Sequence, residues 1–180
     1  MKELEKINDY YTRNWIKVPI NLESPYLSRL VYEAMNYIKD KTNFIPESKE
    51  LFDKVNRNKL YRALIDWTGR NIESKEEPKK YGNLRDYILN AGGDIGDVIW
   101  HRTAVCRELS CFGHIVTAMY GINTKVIDGT LKEGKNHAWL KTAGKSTIID
   151  FNKFRNIFNS KDYPSKIIIS EQLLVKSKIK

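Results

Sequence analysis

Long apolar runs are missing from this chain: aliphatic stretches end at three residues, as in Ile167 to Ile169, against the roughly 20 that a membrane-spanning helix needs. No membrane span is expected. The start, Met1-Lys2-Glu3-Leu4-Glu5-Lys6, lacks the apolar stretch of a secretory signal, so a cytoplasmic location is the default, with export by a signal-independent route left open. Cysteine is nearly absent. Cys106 and Cys111 are the only two among 180 residues, and a bond between neighbours five positions apart would close a trivially small loop, which points to reduced thiols. Ten glycines, five prolines and 41% hydrophobic residues exclude collagen-like, disulfide-scaffold and wholly disordered classes. No internal repeat or low-complexity tract is visible. The length suits one domain spanning 1–180.

Charge is the one compositional outlier. Thirty-one Lys plus Arg against 22 Asp plus Glu leave a net +9, which permits attraction to nucleic acid or an anionic surface. The basic residues are scattered, however, and not interleaved with stacking aromatics, which argues against a nucleic-acid partner. A chain generally rich in Lys, Asn and Ile acquires such an excess through skewed codon usage alone. The oligomeric state is left open by the sequence.

Residues 1–90 read as a helical extension and 91–180 as the core that carries chemistry. Ser24 is a candidate N-cap with Pro25 first in the helix, because proline has no N–H to leave unpaired. From there Leu27, Leu30, Val31, Ala34, Met35 and Ile38 share one stripe. After Pro46, Leu51 and Val55 lie on a different face from Leu60, Leu64 and Trp67, so two short helices with a break near Asn56-Arg57-Asn58 are expected, the second ending around Gly69. Glu73 to Lys80 reads as an exposed loop, Leu84 to Leu89 as a short helix, and Gly92-Gly93-Asp94 and Gly96-Asp97 as turns. Val105 to Tyr120 suits a buried helix stopped by Gly121. Strand-like segments follow at Thr124 to Ile127, Ala138 to Lys141 and Thr147 to Phe151, with turns at Gly129, Gly134 and Gly144, and a further strand is expected within Lys166 to Ile169. Helices first and antiparallel strands second predict an α+β fold.

Three residues of the second half have complementary chemistry. Cys106 sits at a helix start, where unpaired N–H groups and the positive end of the dipole favour a thiolate, the nucleophilic form. His137 follows 31 positions later and Asp150 another 13, at facing ends of two segments that can pair. In such a set the imidazole takes the thiol proton, the thiolate attacks a carbonyl, and the carboxylate holds the ring. The Cys106 N–H is one natural oxyanion donor, and the sequence does not identify a second. A zinc site from Cys106, Cys111, His114 and His101 is the weaker alternative, because ligands from one helix do not readily surround a tetrahedral ion. Cys111 is about 140° around the helix from Cys106 and should be buried. Glu108 projects to a different side.

The segments Val105-Cys106-Arg107-Glu108-Leu109-Ser110, Tyr120-Gly121-Ile122 with Val126-Ile127-Asp128-Gly129, Asn136-His137-Ala138-Trp139-Leu140 and Ile148-Ile149-Asp150 together resemble the transglutaminase-like superfamily of papain-related cysteine enzymes. The resemblance covers Val105 to Phe151 and rests on the ordered set. It implies a papain/transglutaminase-like core with the nucleophile at a helix start and catalytic Cys106, His137 and Asp150. It further implies a thiol-dependent acyl-transfer activity on amide bonds of a protein or peptide substrate, as a peptidase or deamidase. A cross-linking transglutaminase is the alternative outcome of the same thioester, and a non-catalytic binding module on the same fold is another. Ala104 and Val105 stand where many members have Gly or Gln. No cofactor is required by this chemistry; some members use calcium, and no EF-hand-like loop is present. Trp100, Asn136 and Trp139 flank the three residues and are the candidates for substrate binding, with Trp139 also suited to shield the imidazole.

Overall fold

The computed structural model describes residues 9–11, 17–72, 78–131, 134–142, 147–163 and 172–173. Strands β1 (Asp9–Tyr11) and β2 (Lys17–Pro19) pair antiparallel, an element for which the helical reading of the first half made no provision. Five helices follow: α1 (Pro25–Thr42), α2 (Lys54–Asn71), α3 (Pro78–Asn90), α4 (Ile95–Trp100) and α5 (Cys106–Met119). The second half is an antiparallel sheet of β3 (Thr124–Thr130), β4 (Asn136–Thr142), β5 (Thr147–Asp150), β6 (Asn156–Asn159) and β7 (Gln172–Leu173), in spatial order β6-β5-β4-β3-β7. Helices segregated from an antiparallel sheet make this an α+β chain.

Helix α1 starts at Pro25 as the missing N–H of proline favours. Its stripe of Leu27, Leu30, Val31, Ala34 and Ile38 is buried against α2, α4 and α5. Asn43 ends it in the left-handed conformation, φ 61°. The expected break near Asn56-Arg57-Asn58 falls earlier. A short 3-10 turn over Lys49–Phe52 places Leu51 in the core, and Asp53 then starts α2 by accepting the backbone N–H groups of Val55 and Asn56. An N-cap resets helical phase, so Leu51 and Leu60 never share one helix, and Val55 is left exposed. Helix α2 runs on to Asn71, past Gly69.

Two loop expectations are also corrected. Helix α3 begins at Pro78 and not at Leu84, because proline suits a first helical turn; residues 73–77 lie outside the described residues. Gly96 and Asp97 belong to α4 and not to a turn. Asp94 accepts from Gly96 N at 2.6 Å and Asp97 N at 3.1 Å, while Asp97 accepts from Asp94 N at 2.8 Å. This reciprocal capping box starts a helix where two glycines suggest a bend. Gly96 is needed for contact, since a Cβ there would stand 2.8 Å from Leu27 N.

Along β3 and β4 the register pairs Val126 with Leu140, Ile127 with Trp139 and Gly129 with His137. Gly129 therefore lies inside a strand and is not a turn. A Cβ on it would meet the Trp139 ring at 2.5 Å, so the glycine makes room for the indole. Gly134 does turn, with φ 77°, while Gly144 and Lys166 to Ile169 lie outside the described residues. Alternation divides the sheet. Val126, Leu140 and Ile149 join the large core beneath α5, whereas Trp139 and Ile148 form a smaller cluster with Leu131 and Tyr163. His137, two positions from Trp139, shares the second face. Strand β6 was not foreseen; Asn156 and Asn159 bracket only Ile157 and Phe158, too short a pattern to read.

Gly113 of α5 leaves no room for a side chain, since an added Cβ would run into the Phe151 ring and stand 3.2 Å from Leu140. Overpacking of this kind costs about 1–3 kcal/mol. Gly113→Ala is expected to lower the urea midpoint accordingly with an unchanged slope; an unaltered midpoint would mean that the helix and sheet separate freely here.

Candidate active site

Cys106 is the first residue of α5, and the chain reaches it through a constrained link. The backbone N–H and hydroxyl of buried Thr103 both donate to Val98 O, at 3.0 Å each, and Arg102 takes φ 55°. The start of α5 is then fixed by Glu108, whose carboxylate accepts the Val105 N–H at 2.9 Å. Glu108 is fully buried and is met by Arg85 at 2.5 Å. This is the different side to which Glu108 was expected to project. The consequence for chemistry is local: Glu108 occupies the N–H of Val105, while the first-turn N–H of Cys106 has no carbonyl of its own helix to bond.

His137 and Asp150 stand on one face where β4 begins and β5 ends. The ring Nε2 lies 2.6 Å from Asp150 Oδ2. An ionised carboxylate only accepts, so Nε2 carries a proton toward Asp150; Cys106 is near enough to act on the charge of the ring, and Nδ1 is the ring nitrogen left for it. Cys106, His137 and Asp150 thus converge in the order expected. Cys106 is half-buried, His137 is 4% exposed and Asp150 fully enclosed, so of the three Cys106 keeps the most surface toward solvent.

Burial alone would lower the pKa of His137, but the hydrogen bonds and charges of Asp150 and Cys106 outweigh it and raise it from 6.5 to about 9. Burial likewise pushes the Asp150 carboxyl upward, and the bonds from His137, Tyr163 and the Asn152 N–H overcome it, so the group is held below the usual carboxylate range. The other two histidines are differently placed. His114 is buried, has Nδ1 2.8 Å from Thr124 Oγ1, and is lowered to about 4 by burial, so it is neutral at neutral pH. His101 is exposed at the end of α4. Cys111 is fully buried and burial pushes its thiol upward.

The three flanking candidates separate. Asn136 is exposed at the start of β4, beside His137. Trp100 is half-buried, stacked on Tyr26 at 4.9 Å with the Arg29 guanidinium 5.2 Å over its ring. Trp139 is fully buried, 6.1 Å from the imidazole between centroids, which suits a shielding wall and leaves no surface to offer a substrate.

Tyr163 is the site residue that sequence reasoning missed. Its hydroxyl donates to Asp150 Oδ2 at 2.5 Å, its ring packs 5.1 Å from Trp139, and the bond to the carboxylate together with burial pushes the phenol upward, so it remains a donor. Phe154 closes the same pocket, edge-on to His137 at 6.5 Å. No spacing motif links Tyr163 to Asp150; only the return of the chain after β6 does. Arg107, next to Cys106, is tied to Asp128 of β3 at 3.1 Å.

No known family, curated protein or solved structure matches this chain. Among the described residues no helix is long and apolar enough to cross a membrane.

Two outcomes follow from this geometry. In Asp150→Asn the larger charge that raises the imidazole is gone while burial and Cys106 remain, so His137 should titrate well below about 9 when its ring protons are followed by NMR. Tyr163→Phe should leave that titration near 9 but lose about 1.5–3 kcal/mol of stability, the worth of a hydrogen bond to a charged group. Linkage adds a direction: stability from charged His137 is full below pH 6.5 and lost as pH rises through about 9, whereas stability from Asp150 is lost as pH falls through its depressed value.

Proposed function

We propose that this chain is a thiol-dependent acyl-transfer enzyme acting on amide bonds of a protein or peptide substrate, as a peptidase or deamidase. The single observation that carries the reading is His137 placed between the Cys106 sulfur and the buried Asp150 carboxylate, with Nε2 committed to Asp150 at 2.6 Å. The transglutaminase-like pattern in the sequence supports the same roles.

In this mechanism His137, charged below about pH 9, already holds the proton that Cys106 has given up, and the thiolate of this ion pair attacks the amide carbonyl. The carbonyl oxygen gains negative charge beside the first-turn N–H of Cys106. Collapse of the adduct breaks the C–N bond, and the imidazolium gives its proton to the departing amine, leaving a thioester. Neutral His137 next deprotonates water, hydroxide adds to the thioester carbonyl, and collapse releases the carboxylic acid and the thiolate, leaving the proton on the ring. Asp150 keeps the ring in one tautomer and stabilises its charged form. The partial exposure of Cys106 gives water a route to the thioester, which favours hydrolysis over transfer to a second amine. No step requires a metal or an organic cofactor.

The test has two parts. Iodoacetamide at neutral pH should modify Cys106 far faster than buried Cys111, and His137→Ala should slow Cys106 by about a hundredfold; equal, slow labelling of both would overturn the enzyme reading. Mass spectrometry of a protein mixture with and without a primary amine, comparing wild type with Cys106→Ala, then separates peptide cleavage, a gain of about one dalton for deamidation, and amine incorporation. Turnover should decline as pH rises through about 9, where the imidazolium that protonates the leaving amine is lost, while alkylation of Cys106 should not decline there.

A further inference from the structure

At the far end of α5 from Cys106 lies a cavity of about 400 Å³, between the start of α2 and the loop that follows α5. Fourteen residues of helix separate the two ends, a distance of about 20 Å. The volume is within the range of small-molecule sites, roughly 300–1,000 Å³. Its lining includes three cations, Lys49, Lys54 and Arg57, and one acid, Glu47. Among the described residues none of those three cations is in a salt bridge. Neighbouring Asp53 is already engaged by the N–H groups of Val55 and Asn56.

Two further observations point to a ligand. Arg57 Nη2 and Asn58 Oδ1 are both closed off from solvent and have no hydrogen-bond partner, although both residues line the cavity. Unsatisfied buried polar atoms are rare in folded proteins because each forfeits its hydration with nothing in return. Phe52, also in the lining, is 86% exposed, the most exposed large hydrophobic side chain among the described residues, and the 3-10 turn that carries it buries its neighbour Leu51 instead. Beneath lies Tyr61, whose phenol is pushed up to about 12 by burial and so presents an uncharged ring and hydroxyl.

We propose that this cavity is a second site, separate from the triad, for a small phosphomonoester with an apolar ring. The dianionic head fits two or three cations offset by one carboxylate, with the Arg57 fork supplying directed N–H donors. The ring covers Phe52 and Leu51. A free phosphate ion would leave most of 400 Å³ empty, and a neutral ring would leave Arg57 Nη2 unpaired. Asn58 Oδ1 selects for an N–H or O–H donor on the ligand body.

Phenyl phosphate is the probe, followed by amide NMR on the whole chain at fixed ionic strength. Saturable shifts centred on Arg57, Asn58 and Asn123 are expected, with phenol and inorganic phosphate each binding at least tenfold more weakly. Arg57→Gln should weaken phenyl phosphate at least tenfold; because Arg57 is partly buried, exposed Lys54→Gln serves as the second variant, with a severalfold loss and a native spectrum. Neither variant should alter Cys106 alkylation. Absence of saturable binding, equal binding of phenol, or unchanged binding in a folded Lys54→Gln, Arg57→Gln double variant would overturn the proposal. Failure of Cys106 labelling would bear only on the acyl-transfer reading.

Discussion

The constraint on which the candidate site depends is the enclosure of one carboxylate. Asp150 is fully buried, and an ionised carboxylate in such a place is tolerable only when its oxygens are taken up by donors. Oδ2 receives both His137 and Tyr163, and Oδ1 receives the backbone N–H of Asn152. These donors come from β4, from the segment after β6 and from the bend directly after β5. One charge therefore draws three parts of the chain to one point, and in doing so fixes the imidazole. Removing a single donor exposes the remainder to the full desolvation cost, which is why the arrangement holds as a unit.

A second buried charge plays a comparable part on the other side of Cys106. Glu108, enclosed with Arg85, holds the start of α5 by capping Val105, and Arg107 ties that same turn to β3 through Asp128. The sulfur and the imidazole are thus each anchored by an ion pair that belongs to a different element. Preorganised placement of this type is what a general base needs, because a nucleophile and base displaced by about 1 Å lose much of their advantage. The aromatic cluster of Trp139, Phe154, Phe158 and Tyr163 excludes water from the carboxylate side while Cys106 keeps its access.

What the sequence made legible was whatever depends on neighbours along the chain. The stripe of α1, its start at Pro25, the extent of α5 and the ordered Cys106, His137 and Asp150 are all local patterns or ordered spacings. The misplaced break at Asn56 and the unread start of α4 share one cause, since both helices begin at an aspartate cap whose effect depends on side-chain geometry and not on hydrophobic period. Gly129 misled for the opposite reason: its small size serves the Trp139 ring across the strand pair, a contact that no local window contains. Tyr163 was invisible because its partner lies 13 residues away through an intervening strand.

A small part of the net charge of +9 is gathered in one place. Around Cys106 three charge pairs stand: Arg85 with Glu108, Arg107 with Asp128, His137 with Asp150. Where a thiolate and an imidazolium must coexist, stray charge would shift both, and pairing keeps their balance set by two groups alone. At the opposite end of α5, Lys49, Lys54 and Arg57 face one acid across a cavity. An excess spread evenly over a surface has no address, but one concentrated beside unsatisfied buried atoms and an exposed phenylalanine has both a direction and a shape. The helix that presents the sulfur at one end thereby separates a charge-balanced chemical site from a charge-unbalanced one, and each can respond to its own ligand without disturbing the protonation of the other over a distance longer than the screening length of about 8 Å at physiological salt.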